Sequence, residues 1–130
     1  MTIIIASVIF AAFLPILTKA PLGLAQSKLP GGYDNRHPRV QQAALEGFGQ
    51  RALGAHNNAF EAFPPFAVGV LLALWAQAPV VQVQTLCLVW IVARVLHAIF
   101  YLADVNKLRS LCWGIAFGSS IWLMCLALPG

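Results

Sequence analysis

Polar side chains recur at helical spacing inside stretches that are otherwise apolar. Asn58 and Glu61 follow Arg51 by seven and ten residues. At 100° per residue this spacing places all three on one helix face. An arginine can bind a carboxylate, a glutamate can accept from an ammonium group, and an asparagine can pair with an amide. The stripe therefore suits a small ligand that carries all three groups.

A second stripe lies further along the chain. His97 and Tyr101 follow Arg94 by three and seven residues, and Arg109 and Ser110 come after a short break. An arginine close to a thiol stabilises the thiolate and lowers its pKa. All five of these residues are candidates for contact with a polar ligand. The pattern predicts a polar cavity.

The composition places this cavity in a membrane. Of the 130 residues, 60% are hydrophobic and 9% are charged, and the mean hydropathy is +0.79. Soluble domains carry about 25% charged residues. An ordinary soluble enzyme and a disordered tail are thereby excluded, and the net charge of +4 does not indicate nucleic-acid binding. An ionisable residue inside a membrane span is costly and marks a candidate functional site.

Four apolar stretches approach the roughly 20 residues that a spanning helix needs. The predicted helices cover about 2–20, 38–76, 80–103 and 108–128. With short links they form one all-α domain, an integral membrane antiparallel four-helix bundle. Pro64 and Pro65 are expected inside the second helix. Gly114 and Gly118 form a GxxxG motif, which predicts close helix packing.

The basic residues predict how the bundle is oriented. Seven of the eight flank the first and third loops, whereas the second loop and both tails have none. By the positive-inside rule the first and third loops face the cytoplasm, and both termini face the opposite side. The expected location is the bacterial inner membrane.

Other interpretations of the polar residues remain open at this point. Glu61 and Arg94 can form a structural ion pair that only holds two helices together. A metal site is not expected, because the three histidines are dispersed and no HExxH motif occurs. A ligand with carboxylates, an amine and amides fits the cavity, and glutathione is such a ligand. Spacing alone does not distinguish glutathione from other anions.

Two segments resemble the MAPEG family (membrane-associated proteins in eicosanoid and glutathione metabolism). RALGAHNNAFEAFPPF, Arg51 to Phe66, is similar to the family's second helix. ARVLHAIFYLADVNKLRSL, Ala93 to Leu111, is similar to the end of its third helix and the start of its fourth. The spacing resembles the branch of microsomal prostaglandin E synthase and microsomal glutathione transferase. The matching positions are His56, Asn58, Glu61, Pro64 or Pro65, Arg94, His97, Tyr101, Arg109 and Ser110.

The resemblance implies a homotrimer with glutathione bound between neighbouring subunits and a lipophilic second substrate arriving from the lipid. By resemblance, Asn58 and Glu61 hold the backbone and amino group of glutathione, and Arg109 stabilises its thiolate. Ser110 is a hydrogen-bond donor to the sulfur, so the resemblance implies that Arg109 and Ser110 are the catalytic residues. The residues expected to bind glutathione are Arg51, Asn58, Glu61, Arg94, His97 and Tyr101.

The chain departs from the family pattern at two positions. Gly54 replaces an arginine that many members carry one turn before the asparagine, and Trp113 replaces an aromatic hydroxyl. Three functions follow as alternatives. The first is a glutathione-dependent transferase or peroxidase, and the second is a non-catalytic ligand-binding protein of the same fold. The third is a small oligomeric transporter, which normally carries an acidic residue in its first span; this sequence has none there.

Overall fold

A computed structural model describes residues 1–128 of the chain, and all regular structure in this range is helical. Four helices are long and apolar enough to span a bilayer, so the all-α, multi-pass membrane fold is confirmed. The homotrimer stays a prediction. The helices are α1 (Thr2–Ser27), α2 (Pro38–Ala43), α3 (Gly47–Trp75), α4 (Val80–Leu102) and α5 (Asn106–Cys125).

Helix α3 packs against α1, α4 and α5, and α4 likewise packs against the three other spanning helices. The direction of α3 is opposite to that of α1 and α4, and α5 runs beside it in the same direction. The main core lies in the half of the bundle away from the first loop, where Phe66 stacks on Trp90 with ring centroids 4.0 Å apart. Pro64 and Pro65 lie inside α3, as predicted.

The first helix is longer than predicted, since it continues through Pro21 to Ser27 instead of ending near residue 20. Gln26 explains the extension. Its side chain is fully buried and donates to the Pro38 carbonyl and to Gln41 Oε1, at 3.2 and 3.0 Å. The last turns of α1 are therefore held by α2. The first loop is shorter than predicted, because α1 extends to Ser27.

The predicted helix over 38–76 is two helices in the structure. Residues 44–46 separate α2 from α3. Gly47, the first residue of α3, has a φ of +55°, and this left-handed conformation changes the direction of the chain between the two helices. Leu45 lies in this break and packs with Leu22 and Ala52 in a small second core. The sequence suggested continuity because the polar residues on either side keep a helical period.

The loop before α2 is ordered by its own side chains. Asp34 Oδ1 accepts hydrogen bonds from the backbone N–H groups of Arg36 and His37, at 2.8 and 3.0 Å. The N–H groups of His37 and Arg36 hold the pKa of the Asp34 carboxyl below its usual value. The loop therefore presents a fixed surface beside the starts of α2 and α3.

A close approach of α3 and α5 involves a glycine outside the GxxxG motif. A Cβ atom on Gly69 would lie 2.8 Å from the Ser120 carbonyl oxygen, so α3 and α5 approach closely there. Gly114 and Gly118 have nothing within 4 Å of a Cβ position. The close packing predicted for this pair is therefore not found within the subunit, because both glycines lie on the outer face of α5.

Candidate functional site

Two adjoining clefts lie between α3, α4 and α5, at the end of the bundle that carries the first and third loops. The outer cleft has a volume of about 240 Å³ and is lined by Asn58, His97, Tyr101, Arg109, Ser110 and Trp113. The inner cleft has a volume of about 130 Å³ and is lined by Asn58, Glu61, Ala62, Pro65, Trp90, Arg94, Trp113, Ala116, Phe117 and Ser120. The clefts share Asn58 and Trp113.

Arg94 lies in the inner cleft and is only 1% exposed. Its Nη2 donates to the Asn58 carbonyl at 3.2 Å, and this bond joins α4 to α3. Within residues 1–128, the one ion pair closer than 4.0 Å is Arg51 with Asp104. The alternative of a structural Glu61–Arg94 ion pair is therefore not formed in the subunit.

Glu61 and Asn58 form the α3 side of the inner cleft. Asn58 Nδ2 donates to Glu61 Oε2 at 3.1 Å, so the two side chains lie together as the i, i+3 spacing predicts. The carboxylate keeps most of its acceptor capacity, because this bond uses one site on one oxygen. A positive guanidinium and a negative carboxylate thus line the same small cleft.

His97 and Tyr101 position Arg109 in the outer cleft. His97 Nδ1–H donates to the Arg109 carbonyl at 3.0 Å, which ties α4 to the first turn of α5. The Arg109 guanidinium lies over the Tyr101 ring, 4.4 Å from its centroid, and this geometry permits a cation–π interaction. The arginine is therefore held by its backbone and by its side chain.

The described residues contain four buried side-chain polar atoms that lack a hydrogen-bond partner, and all four belong to the site. They are Asn58 Oδ1, Arg94 Nε, Arg94 Nη1 and His97 Nε2. Buried polar groups in folded proteins are normally hydrogen-bonded, and an unmade bond costs about 1–3 kcal/mol. Two of the atoms are donors, and the other two accept. A ligand with both an acidic group and N–H donors would satisfy them.

Arg51 lies outside both clefts, and its part in ligand binding stays a prediction. Its Nε donates to the Leu102 carbonyl at 3.3 Å, and its Nη1 lies 3.9 Å from Asp104 Oδ2. These contacts cap the end of α4 and hold the third loop. The face of α3 that Arg51 shares with Asn58 is packed by α4 at this level, so Arg51 contacts the loop instead of the cavity.

Gly54 has a packing role that the sequence did not indicate. A Cβ atom at this position would lie 2.3 Å from the Tyr101 hydroxyl and 2.5 Å from Cζ of the same ring. The absence of a side chain therefore leaves room for the Tyr101 ring, which in turn supports Arg109. The glycine thus allows a close approach of α3 and α4.

This packing yields a prediction for Gly54→Ala. An alanine normally stabilises a helix by about 1 kcal/mol relative to glycine. Here the new methyl group must displace Tyr101, and overpacking of this kind costs about 1–3 kcal/mol. We expect a lower midpoint of thermal unfolding in detergent and weaker binding in the outer cleft.

The matched control is Gly23→Ala in α1, where nothing lies within 4 Å of the Cβ position. This variant should be as stable as the parent protein or slightly more stable. Equal stabilisation by both alanines would contradict the role assigned to Gly54.

A third cleft lies against α3 on the side that faces α1, and the sequence did not predict it. This basic cleft has a volume of about 460 Å³ and is lined by Lys19, Tyr33, Pro38, Arg39, Gln42, His56, Asn57 and Phe60. His56 Nδ1–H donates to the Pro15 carbonyl at 2.8 Å. Lys19 and Arg39 could have indicated this cleft, but the positive-inside rule had explained them as residues that flank the first loop.

The residues of 1–128 contain no group of three or more His, Cys, Asp or Glu side chains placed to hold a metal ion. The polar groups of the two clefts are instead guanidinium groups, an imidazole, an amide, hydroxyl groups and a carboxylate. These groups suit a ligand that is held by hydrogen bonds and by charge.

These features define an integral membrane protein of four spanning helices with a polar ligand site between three of them. The family model that matches the chain spans residues 3–129, which includes every residue of the clefts. The chain belongs to the MAPEG family, the membrane-associated proteins in eicosanoid and glutathione metabolism. No curated protein is similar enough to the sequence to count as a relative.

Proposed function

We propose that the protein is a glutathione-dependent membrane enzyme that conjugates lipophilic electrophiles or reduces lipid hydroperoxides. The observation that carries the proposal is the set of four unpartnered polar atoms on Asn58, Arg94 and His97. A structural polar network would satisfy its own members, because partly satisfied buried networks are unfavourable. Unpartnered donors and acceptors in two adjoining clefts instead suit a ligand that carries both kinds of group.

The inner cleft suits the amino-acid end of glutathione. Arg94 offers Nε and Nη1 to a carboxylate, and Glu61 offers carboxylate oxygens to an ammonium group. The opposite charges of these residues match the opposite charges of the γ-glutamyl group. Asn58, which lines both clefts, is placed to pair with an amide of the peptide backbone through Oδ1.

The outer cleft suits the thiol. Bound glutathione supplies a sulfur nucleophile, and Arg109 would stabilise its thiolate form by charge. Ser110, the next residue of α5, lines the same cleft and would donate a hydrogen bond to the sulfur. His97 and Tyr101 act here as positioning residues for Arg109, through the contacts described above.

We further propose that the basic cleft completes the site in a homotrimer. His56 and Phe60 in the basic cleft are each two residues from Asn58, so they lie about 200° around α3 from it. In a closed ring, two different faces of neighbouring subunits meet. Lys19 and Arg39 of one subunit would then approach glutathione held by the next.

We also propose that this end of the bundle faces the cytoplasm in the bacterial inner membrane. The first and third loops lie at the same end, since the start of α3 is beside the third loop, where Arg51 contacts Asp104. The basic residues that flank these loops follow the positive-inside rule. Glutathione would enter from the cytoplasm, and the second substrate would enter from the lipid.

The basic cleft gives a second prediction. Lys19→Ala should weaken glutathione binding by about 3- to 10-fold, since a charged hydrogen bond at an interface that stays partly solvated is worth about 1 kcal/mol. The dissociation constant should be measured by calorimetry on purified trimers. Lys28→Ala is the control, because Lys28 lies outside the basic cleft. Equal affinity of the Lys19 variant and the parent protein would exclude Lys19 from the site.

The proposed function is tested by glutathione binding followed by turnover of an electrophile. Binding together with conjugation of chlorodinitrobenzene or reduction of a lipid hydroperoxide is the expected result. Binding without any turnover would favour the non-catalytic alternative of the same fold. Intact trimers that do not bind glutathione would contradict the proposal.

A further inference from the structure

Three glutamine side chains join the end of α1 to α2. Gln26 is fully buried, and its Nε2 donates to Gln41 Oε1 at 3.0 Å and to the Pro38 carbonyl at 3.2 Å. Gln26 Oε1 accepts from Gln42 Nε2 at 3.4 Å. The loss of one of these partners would leave a buried amide group unsatisfied, which is unfavourable. We call the bonded side chains of Gln26 and Gln41 the glutamine pair.

The glutamine pair also holds the middle of the first loop, at Tyr33. Gln41 Nε2 donates to the Gly32 carbonyl at 2.7 Å, and Gln41 Oε1 accepts from the Asp34 N–H at 3.1 Å. These two backbone groups belong to the two peptide bonds on either side of Tyr33. Gly32 has a φ of +74°, a conformation that favours glycine at this turn. The backbone of Tyr33 is therefore fixed on both sides by one side chain.

Tyr33 lines the basic cleft together with Lys19 and Arg39. The described residues of this lining include these two cations and no carboxylate, so the cleft suits a ligand that carries a carboxylate group. A phenol hydroxyl can donate a hydrogen bond to such a group. The Tyr33 side chain is 42% exposed, so it is accessible to a ligand although the loop backbone beside it is fixed.

We propose that Tyr33 is a further glutathione-binding residue and that the glutamine pair holds it in place before the ligand arrives; this inference rests on the proposed function. The Tyr33 hydroxyl would donate to a carboxylate of glutathione beside Lys19 and Arg39. Ordering a flexible loop during binding reduces affinity, and a loop that is already ordered avoids this cost. Gln26 and Gln41 are accordingly positioning residues.

The first test removes the hydroxyl group of Tyr33. We expect Tyr33→Phe to raise the dissociation constant of glutathione about 3- to 10-fold, because one hydrogen bond to a carboxylate is lost at a partly solvated position. The midpoint of thermal unfolding and kcat at saturating glutathione should keep their parent values. The control is Asn35→Ala, which changes an exposed residue of the same loop outside the basic cleft. It should leave the affinity unchanged.

The second test is a double-mutant cycle between Gln41 and Tyr33. Gln41→Met removes the bonds of the Gln41 amide to Gln26 and to the loop. We expect it to raise the dissociation constant about 3- to 10-fold in the parent protein and by less than about twofold in Tyr33→Phe. A residue that acts through the Tyr33 hydroxyl has little further effect once that group is absent. Gln50→Met is the control, since Gln50 is exposed and lines none of the three clefts.

Each result supports or overturns the inference. Parent affinity in Tyr33→Phe would overturn it, even if Gln41→Met does not form trimers, because Tyr33→Phe keeps the glutamine pair. Equal effects of Gln41→Met with and without the Tyr33 hydroxyl would show that the pair only stabilises the fold. The proposed function stands in both of these cases. A parent protein that does not bind glutathione would contradict both proposals.

Discussion

Arg109→Ala is expected to lower kcat/KM for an electrophile by about 100- to 1,000-fold, the usual cost of removing a group that stabilises developing or bound negative charge. The variant should keep its fold, because the hydrogen bond from His97 Nδ1 goes to the Arg109 carbonyl, which alanine retains. The pH–rate profile should also change. Its apparent pKa should rise toward the value of a free thiol, about 8.5.

Lys107→Ala is the matched control for this prediction. Lys107 is an exposed cation two residues before Arg109, and it lines neither of the two clefts. Its removal should leave the rate within about twofold, since exposed charges are well screened. Arg109→Lys should recover part of the rate, because it restores the charge without the planar contact on Tyr101. Full activity in Arg109→Ala would contradict the assignment of the thiolate to Arg109.

Arg94→Met is expected to preserve or raise the thermal stability of the protein while it weakens the binding of glutathione. Replacing a buried charge by an apolar side chain of similar length is often neutral or stabilising. The Asn58 carbonyl, which accepts from Arg94, lies inside α3 and keeps its helical hydrogen bond. Thermal unfolding should therefore occur at the same temperature or higher. The dissociation constant for glutathione should rise about 10- to 100-fold, because a hydrogen bond to a charged group is worth about 1.5–3 kcal/mol.

The control is Arg36→Met in the first loop, an exposed arginine outside the inner and outer clefts. It should alter neither the unfolding temperature nor the affinity by a measurable amount. An Arg94→Met protein that binds glutathione as tightly as the parent would show that Arg94 only packs in the bundle. A large loss of stability would show that the interactions of Arg94 within the subunit stabilise the fold by more than the burial of its charge costs.

The spans and their order were predictable because apolar runs of about 20 residues have few alternative structures in a membrane. The ends of the helices were less predictable. The first helix was predicted to end near residue 20, but the buried side chain of Gln26 holds its continuation to Ser27. One helix was predicted over 38–76, but the positive φ of Gly47 starts a new helix within this range. Both outcomes depend on contacts between segments that are distant in the sequence.

Within the site, helical spacing predicted which side chains share a face but not what each one contacts. It correctly placed Asn58 beside Glu61, and it placed Arg51 on the same face although Arg51 bonds to the end of α4. Gly54 was interpreted as a missing arginine, whereas the structure uses the space for Tyr101. Lys19 and Arg39 were assigned to membrane orientation, and their common cleft depends on how the first loop folds.

The protonation state of bound glutathione tests the central proposal most directly. Thiolate absorbance in the ultraviolet can be followed as glutathione is titrated into the purified protein near neutral pH. We expect the bound thiol to be ionised at a pH where free glutathione is mostly protonated, and we expect this signal to disappear in Arg109→Ala. A bound thiol that titrates as it does in free solution would contradict the proposed stabilisation of the thiolate by Arg109.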